Sequence, residues 1–175
     1  MSEKKSESVL KKGFDGMRRR LLGGALAGVG VAALGSKSAA AQSDDGFDEM
    51  RFPGDEPDHK VVYQFNHADL GYQDHVIFSV GEMLRKYGDN VKIVVVAFAE
   101  GIHILGKNPG REVKEEIRQR VSSLAHYGVE FHACGNTMAG LNWSEEDLVD
   151  FAQVVQVGAA DLMELQEQGY SYISW

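Results

Sequence analysis

The run Val91–Ala99, VKIVVVAFA, constrains this chain more than any other segment. It is apolar throughout except for Lys92, and it is bounded by Asn90 and by the glycine-bearing GIHILGKNPG. A strand that is apolar at successive positions has no face to give to water, so it belongs in the middle of a sheet covered on both sides. The segments around it alternate in the same sense. Lys60–Phe65 (KVVYQF) is short, β-branched and aromatic, and reads as a first strand. Residues 74–87 place Val76, Ile77, Val80, Met83, Leu84 and Tyr87 at helical spacing before Gly88. A second helix is predicted over 111–127, with Val113, Ile117, Val121, Leu124 and Ala125 on one side, and a third strand over 129–133. Ser144 and Asp147 form the ends of a capping box that reads as a helix start. A short strand over 154–157, a helix over 158–168 and an aromatic strand over 170–173 complete the chain. Strands and helices in alternation imply right-handed crossovers and parallel strands. The expected fold is an α/β protein, a three-layer α/β/α sandwich on a mostly parallel sheet of about five strands.

The first 41 residues read differently. A lysine-bearing start leads to Arg18, Arg19 and Arg20, then to the apolar, small-residue run Leu21–Gly35, then to Ala39-Ala40-Ala41. That order of charged region, apolar region and small-residue site is the pattern of an export signal. The arginine pair before Leu21-Leu22 and the weakly apolar, glycine-rich core favour a twin-arginine signal. Lys37 after that core disfavours the general secretory route. The expected location is the periplasm, with cleavage after Ala41 and no membrane attachment afterwards. The twin-arginine route carries folded cargo, so this domain is expected to fold or assemble before export. Residues 42–59 are acidic and proline-bearing and read as a flexible arm, and residues 60–175 as the domain.

Charge narrows the partners. The signal holds 8 of the 18 Lys and Arg but only 3 of the 26 Asp and Glu, which leaves 10 basic and 23 acidic residues, net −13, beyond Ala41. Such a surface repels phosphate backbones and anionic lipid, which argues against nucleic acid and membrane surfaces.

In a parallel sheet the loops that follow the strands gather at one edge, where ligands bind. Three such loops are expected, over 66–73, 100–110 and 134–142. The third carries Cys134, the only cysteine of the chain, so an internal disulfide is excluded. Amides of the following residues, with the side chains of Asn136 and Thr137, are placed to donate to a thiolate and to lower its pKa. His132, two residues earlier, shares a strand face with Cys134 and is a candidate proton partner. His103 is a second. A buried, inert thiol and a hydrogen-bonded core histidine are the plain alternatives. Gly101–Lys107 comes near the phosphate-loop pattern but has Asn108 where a hydroxyl is needed. His67, His75, His103, His132 and Cys134 show no tight ligand spacing. Neither a cofactor nor a resident metal is therefore expected.

Taken with VVYQF and VVVAFAEGIHIL, the segments GVEFHACGNTM and GAADLMELQEQGYSYISW resemble the DsrE/DsrF-like family, in its exported single-domain branch. The resemblance spans roughly Lys60–Trp175. It implies a parallel three-layer fold assembled as a trimer or hexamer, and a persulfide on one cysteine, the position of Cys134 here. It also implies donor and acceptor proteins for that sulfur. The function expected is a sulfur carrier or sulfurtransferase-like protein. The competing reading is a non-enzymatic oligomer that binds a small ligand or serves assembly. The mature chain is expected to begin at Gln42, and the intact mass of the exported protein checks this.

Overall fold

The computed structural model describes residues 54–175. The predicted signal, its cleavage site and most of the arm lie outside the described residues. Five strands form one sheet: β1 (His59–Phe65), β2 (Val91–Ala97), β3 (Glu130–Cys134), β4 (Ala152–Val155) and β5 (Ser171–Ile173), in the order β4-β3-β2-β1-β5. Every neighbouring pair is parallel. The apolar run sits in the centre as β2, whose Ile93 to Ala97 are all buried.

The helices divide between the two faces because the chain reverses its march across the sheet. From β1 to β4 each strand adds on the same side. Helices α1 (Leu70–Tyr87) and α2 (Glu115–His126) therefore cover one face. They bury Val76, Ile77, Val80, Ile117 and Val121 against Tyr63, Phe65, Ile93, Val95 and Phe131. The chain then crosses from β4 to β5 beside β1, and α4 (Gly158–Glu167) lies on the opposite face. Leu162 and Leu165 of that helix, with Tyr170, meet Val62, Val94 and Val96. Alternate residues of β1 and β2 thus serve opposite layers, as the pleat requires. At the outer edge β4 carries Gln153 and Val154 largely exposed.

Several expected boundaries move. Helix α1 starts at Leu70 and not at 74, because Asp69 caps it: its side chain accepts from Tyr72 N–H at 2.9 Å and its carbonyl from Gln73 N–H at 2.9 Å. Helix α2 starts at Glu115 and not at 111, since Lys114 is still extended and Arg111 pairs with Glu100 instead. The capping box at Ser144 and Asp147 forms but holds only a short 3-10 turn, Glu145–Asp147. Leu148 then extends into a bridge with Gly106 and is buried. The fourth strand begins at Ala152, two residues before the expected start. The segment 134–142, expected as a loop, is helix α3 (Gly135–Leu141). No helix among the described residues is long and apolar enough to cross a membrane.

The carboxyl ends of the first two strands are tied together. Phe98 N–H donates to Phe65 O at 3.0 Å, and a 3-10 helix, Ala99–Leu105, turns directly over that point. A Cβ on Gly101 would lie 2.3 Å from Phe65 O and 2.6 Å from its carbonyl carbon, both backbone atoms that cannot swing away. Gly101→Ala is expected to destabilise the protein by about 3 kcal/mol or more, above the usual overpacking range because backbone must move. Denaturant unfolding of the variant against wild type measures it.

Candidate functional site

Strand β3 ends at Cys134, and three elements close on its sulfur. Helix α3 begins at the next residue, which makes Cys134 its N-cap. Helix α4 begins at Gly158, whose N–H donates to Cys134 Sγ at 3.2 Å. The approach needs a glycine: a Cβ at 158 would stand 3.2 Å from Cys134 Cβ and 3.3 Å from Phe98 Cβ. Thr137, one turn into α3, accepts from Ala99 N–H at 3.1 Å through its hydroxyl and so ties α3 to the end of β2. Asn136 N–H donates to Gln156 O at 3.2 Å and ties α3 to the end of β4. The sulfur therefore lies where β2, β3, β4 and the start of α4 converge, and the cysteine is 6 % exposed.

Burial pushes the Cys134 thiol up. The Gly158 N–H, the Thr137 hydroxyl and the amides of Thr137 and Asn136 act against burial and outweigh it, so the thiol ionises below its ordinary range. Every one of these donors is neutral. These dipoles ease ionisation of the sulfur relative to an ordinary cysteine, and a thiolate is the nucleophilic form of cysteine. One donor, Gly158, was not anticipated as a site residue. The only trace it leaves in the sequence is a glycine opening the last helix.

The expected companions are placed unequally. Cys134, Asn136 and Thr137 come together. His132 lies on the same face of β3 as Cys134, toward α4, but no hydrogen bond joins the two side chains. Its Nδ1 sits 2.7 Å from Asp161 Oδ2, and its Nε2 faces Glu130 at 3.7 Å. His103 has a different set of neighbours. Its Nδ1 accepts from Gly110 N–H at 3.2 Å and its ring meets Trp143 edge-on at 5.2 Å. The near-phosphate-loop run around it is mostly buried, from Gly101 to Leu105. Among the described residues no group of three or more His, Cys, Asp or Glu side chains gathers to hold a metal ion. A groove of about 980 Å³ lies elsewhere, between α1 and α2, lined by Phe78, Gly81, Leu84, Gln119 and Tyr127 among others.

An all-parallel five-stranded sheet with helices on both faces and a cysteine at its carboxyl edge defines a class of α/β protein. The DsrE/DsrF-like family matches residues 59–175, and the chain belongs to that family. No curated relative matches it. Among solved structures it is similar to MTH1491 from Methanobacterium thermoautotrophicum, described as a protein of unknown function. The two are 28 % identical with a TM-score of 0.61, over 67 % of this chain and 100 % of that one. It also resembles the ychN protein from E. coli, at 16 % identity and a TM-score of 0.49, over 67 % of this chain and 99 % of that one.

Burial lowers the His103 pKa, Arg111 lowers it further, and Glu100 acts against both. The unfolded chain then binds the proton more readily than the folded one. This contribution to stability is complete above the ordinary histidine value of about 6.5 and is lost as pH falls through the folded value. Protonation would also cost Nδ1 its role as acceptor for Gly110. Wild type is expected to lose more stability between pH 7.5 and pH 5 than His103→Asn, and urea midpoints at the two pH values compare them.

Proposed function

We propose that this protein carries sulfane sulfur as a persulfide on Cys134, in the manner of a sulfur relay and outside the cytoplasm. The observation that carries the reading is the Gly158 N–H donated to Cys134 Sγ at 3.2 Å at the end of β3, in surroundings that lower the thiol's pKa. Family membership and the sequence of the first 41 residues support the relay and the location. Assembly as a trimer or hexamer, and protein donors and acceptors, belong to the same reading.

The chemistry is redox-neutral at each step. The Cys134 thiolate attacks the outer sulfur of a donor such as a polysulfide, a protein persulfide or thiosulfate. The new bond is Cys134 S–S. The donor's own S–S bond breaks, and its remainder leaves with the electron pair as a thiolate, a shortened polysulfide or sulfite. An acceptor thiolate then attacks the outer sulfur, and Cys134 departs as the thiolate. Gly158, Thr137 and Asn136 stabilise Cys134 as both nucleophile and leaving group, because the same anion exists before and after transfer. Neither His132 nor His103 hydrogen-bonds to the sulfur, and a transfer from thiolate to thiolate requires no proton from either.

Intact-mass measurement after polysulfide treatment tests it. Wild type is expected to gain one sulfur and Cys134→Ser none. A wild type that gains nothing, or a Cys134→Ser protein that gains the same mass, overturns the reading and favours the non-enzymatic one.

A further inference from the structure

Two contacts join α4 to β3, and they lie one helical turn apart. At the first residue of α4, Gly158 N–H donates to Cys134 Sγ at 3.2 Å. Three residues on, Asp161 Oδ2 meets His132 Nδ1 at 2.7 Å, and His132 is two residues before Cys134 on the same strand face. The second contact is dry: the side chains of His132 and Asp161 are 10 % and 14 % exposed. The start of α4 is held from the chain side by the Asn136 N–H to Gln156 O bond at 3.2 Å, two residues before Gly158, and past that start the polar contact that fixes the first turn of α4 to β3 is Asp161–His132. The buried anchors of the helix are Gly158, Leu162 and Leu165. Apolar packing of that kind sets the distance to the sheet but is non-directional. Val157 supplies no capping side chain, so the sulfur is the acceptor that meets the start of the helix. The other ring nitrogen of His132, Nε2, is buried without a hydrogen-bond partner and faces Glu130, whose carboxylate is held by Lys92 at 3.1 Å.

We propose that Asp161 and His132 are positioning residues for Cys134: their hydrogen bond locks the first turn of α4 onto β3 and so aims Gly158 N–H at the cysteine sulfur. The proposal rests on reading Cys134 as the thiolate that carries sulfur. It differs from a through-space role for Asp161 in the sign of its effect. Asp161 is an acid one turn from the start of α4, and its charge alone disfavours a nearby thiolate. Removing that charge would ease ionisation of Cys134. Losing the strut would cost the thiolate a donor and hinder ionisation.

The pH profile of Cys134 alkylation by iodoacetamide in the purified protein separates the two. Asp161→Ala is expected to raise the midpoint by about one unit, which means about tenfold slower alkylation below it, the effect of losing one donor to a charged acceptor. Asp161→Asn keeps an oxygen that can accept from His132 but loses the charge, and its midpoint is expected at or below that of wild type. An Asp161→Ala midpoint that is unchanged or lower overturns the proposal, and so does an Asp161→Asn midpoint that rises as far as that of Asp161→Ala. Should Asp161→Ala fail to fold, the double variant His132→Ala/Asp161→Ala leaves no buried partner unpaired and carries the same expectation. Sulfur uptake is read in parallel. If wild type takes up no sulfur while the midpoints shift as stated, the carrier reading falls and the strut stands. If wild type takes up sulfur while Asp161→Ala titrates like wild type, the strut falls and the carrier reading stands.

Discussion

The central strand must be dry on both faces, and the topology leaves a single helix for the second face. Helices α1 and α2 share the first face. On the other, among the described residues, α4 covers Val62, Val94 and Val96 together with Tyr170 and Phe98. To do so it must start at the β4 side of the sheet and travel to the β5 side, because β5 joins beside β1. Its first turn therefore falls over the end of β3. The coverage demanded by an apolar strand thus brings a helix start, with free amide hydrogens, onto a cysteine. The chemistry at Cys134 is a by-product of closing the core.

That convergence places strong demands on small residues. Gly158 brings backbone to within a hydrogen bond of sulfur, and any side chain there meets Cys134 and Phe98. Gly101 does the same at the neighbouring strand ends, against Phe65 O. These two close approaches, with the Thr137 and Asn136 bonds, bind β1, β2, β3 and β4 at one edge. The β4 side remains open to solvent at Gln153 and Val154.

Much of this was legible in the residues alone. The apolar run 91–97, the helical spacing of Val76, Ile77 and Val80, and the strict alternation of strand and helix fixed the fold class and the order of elements. Cys134, Asn136 and Thr137 stood out because the strand ended at a thiol followed by donors. What escaped notice did so for identifiable reasons. The start of α1 is a polar cap followed by Gly71, and its buried residue Gln73 is polar, so hydrophobic periodicity begins a turn late. Helix α3 is rich in Gly, Asn and Thr, poor helix formers whose preference is overridden by the bond from Asn136 to Gln156 and by burial of Met138. Nothing in the spacing of Asp161 along its helix marks it out in the sequence. Its partner is 29 residues away, and only the crossover of α4 brings them together.

The neutrality of the donors around Cys134 has a further consequence. Cysteines ionised by a lysine or arginine draw on a charge that counter-ions can screen. Here the sulfur is met by neutral amide and hydroxyl dipoles. Their field is local, short-ranged and shielded from dissolved ions by the surrounding backbone. The ionised fraction of this thiol is thus a property of the fold more than of the medium.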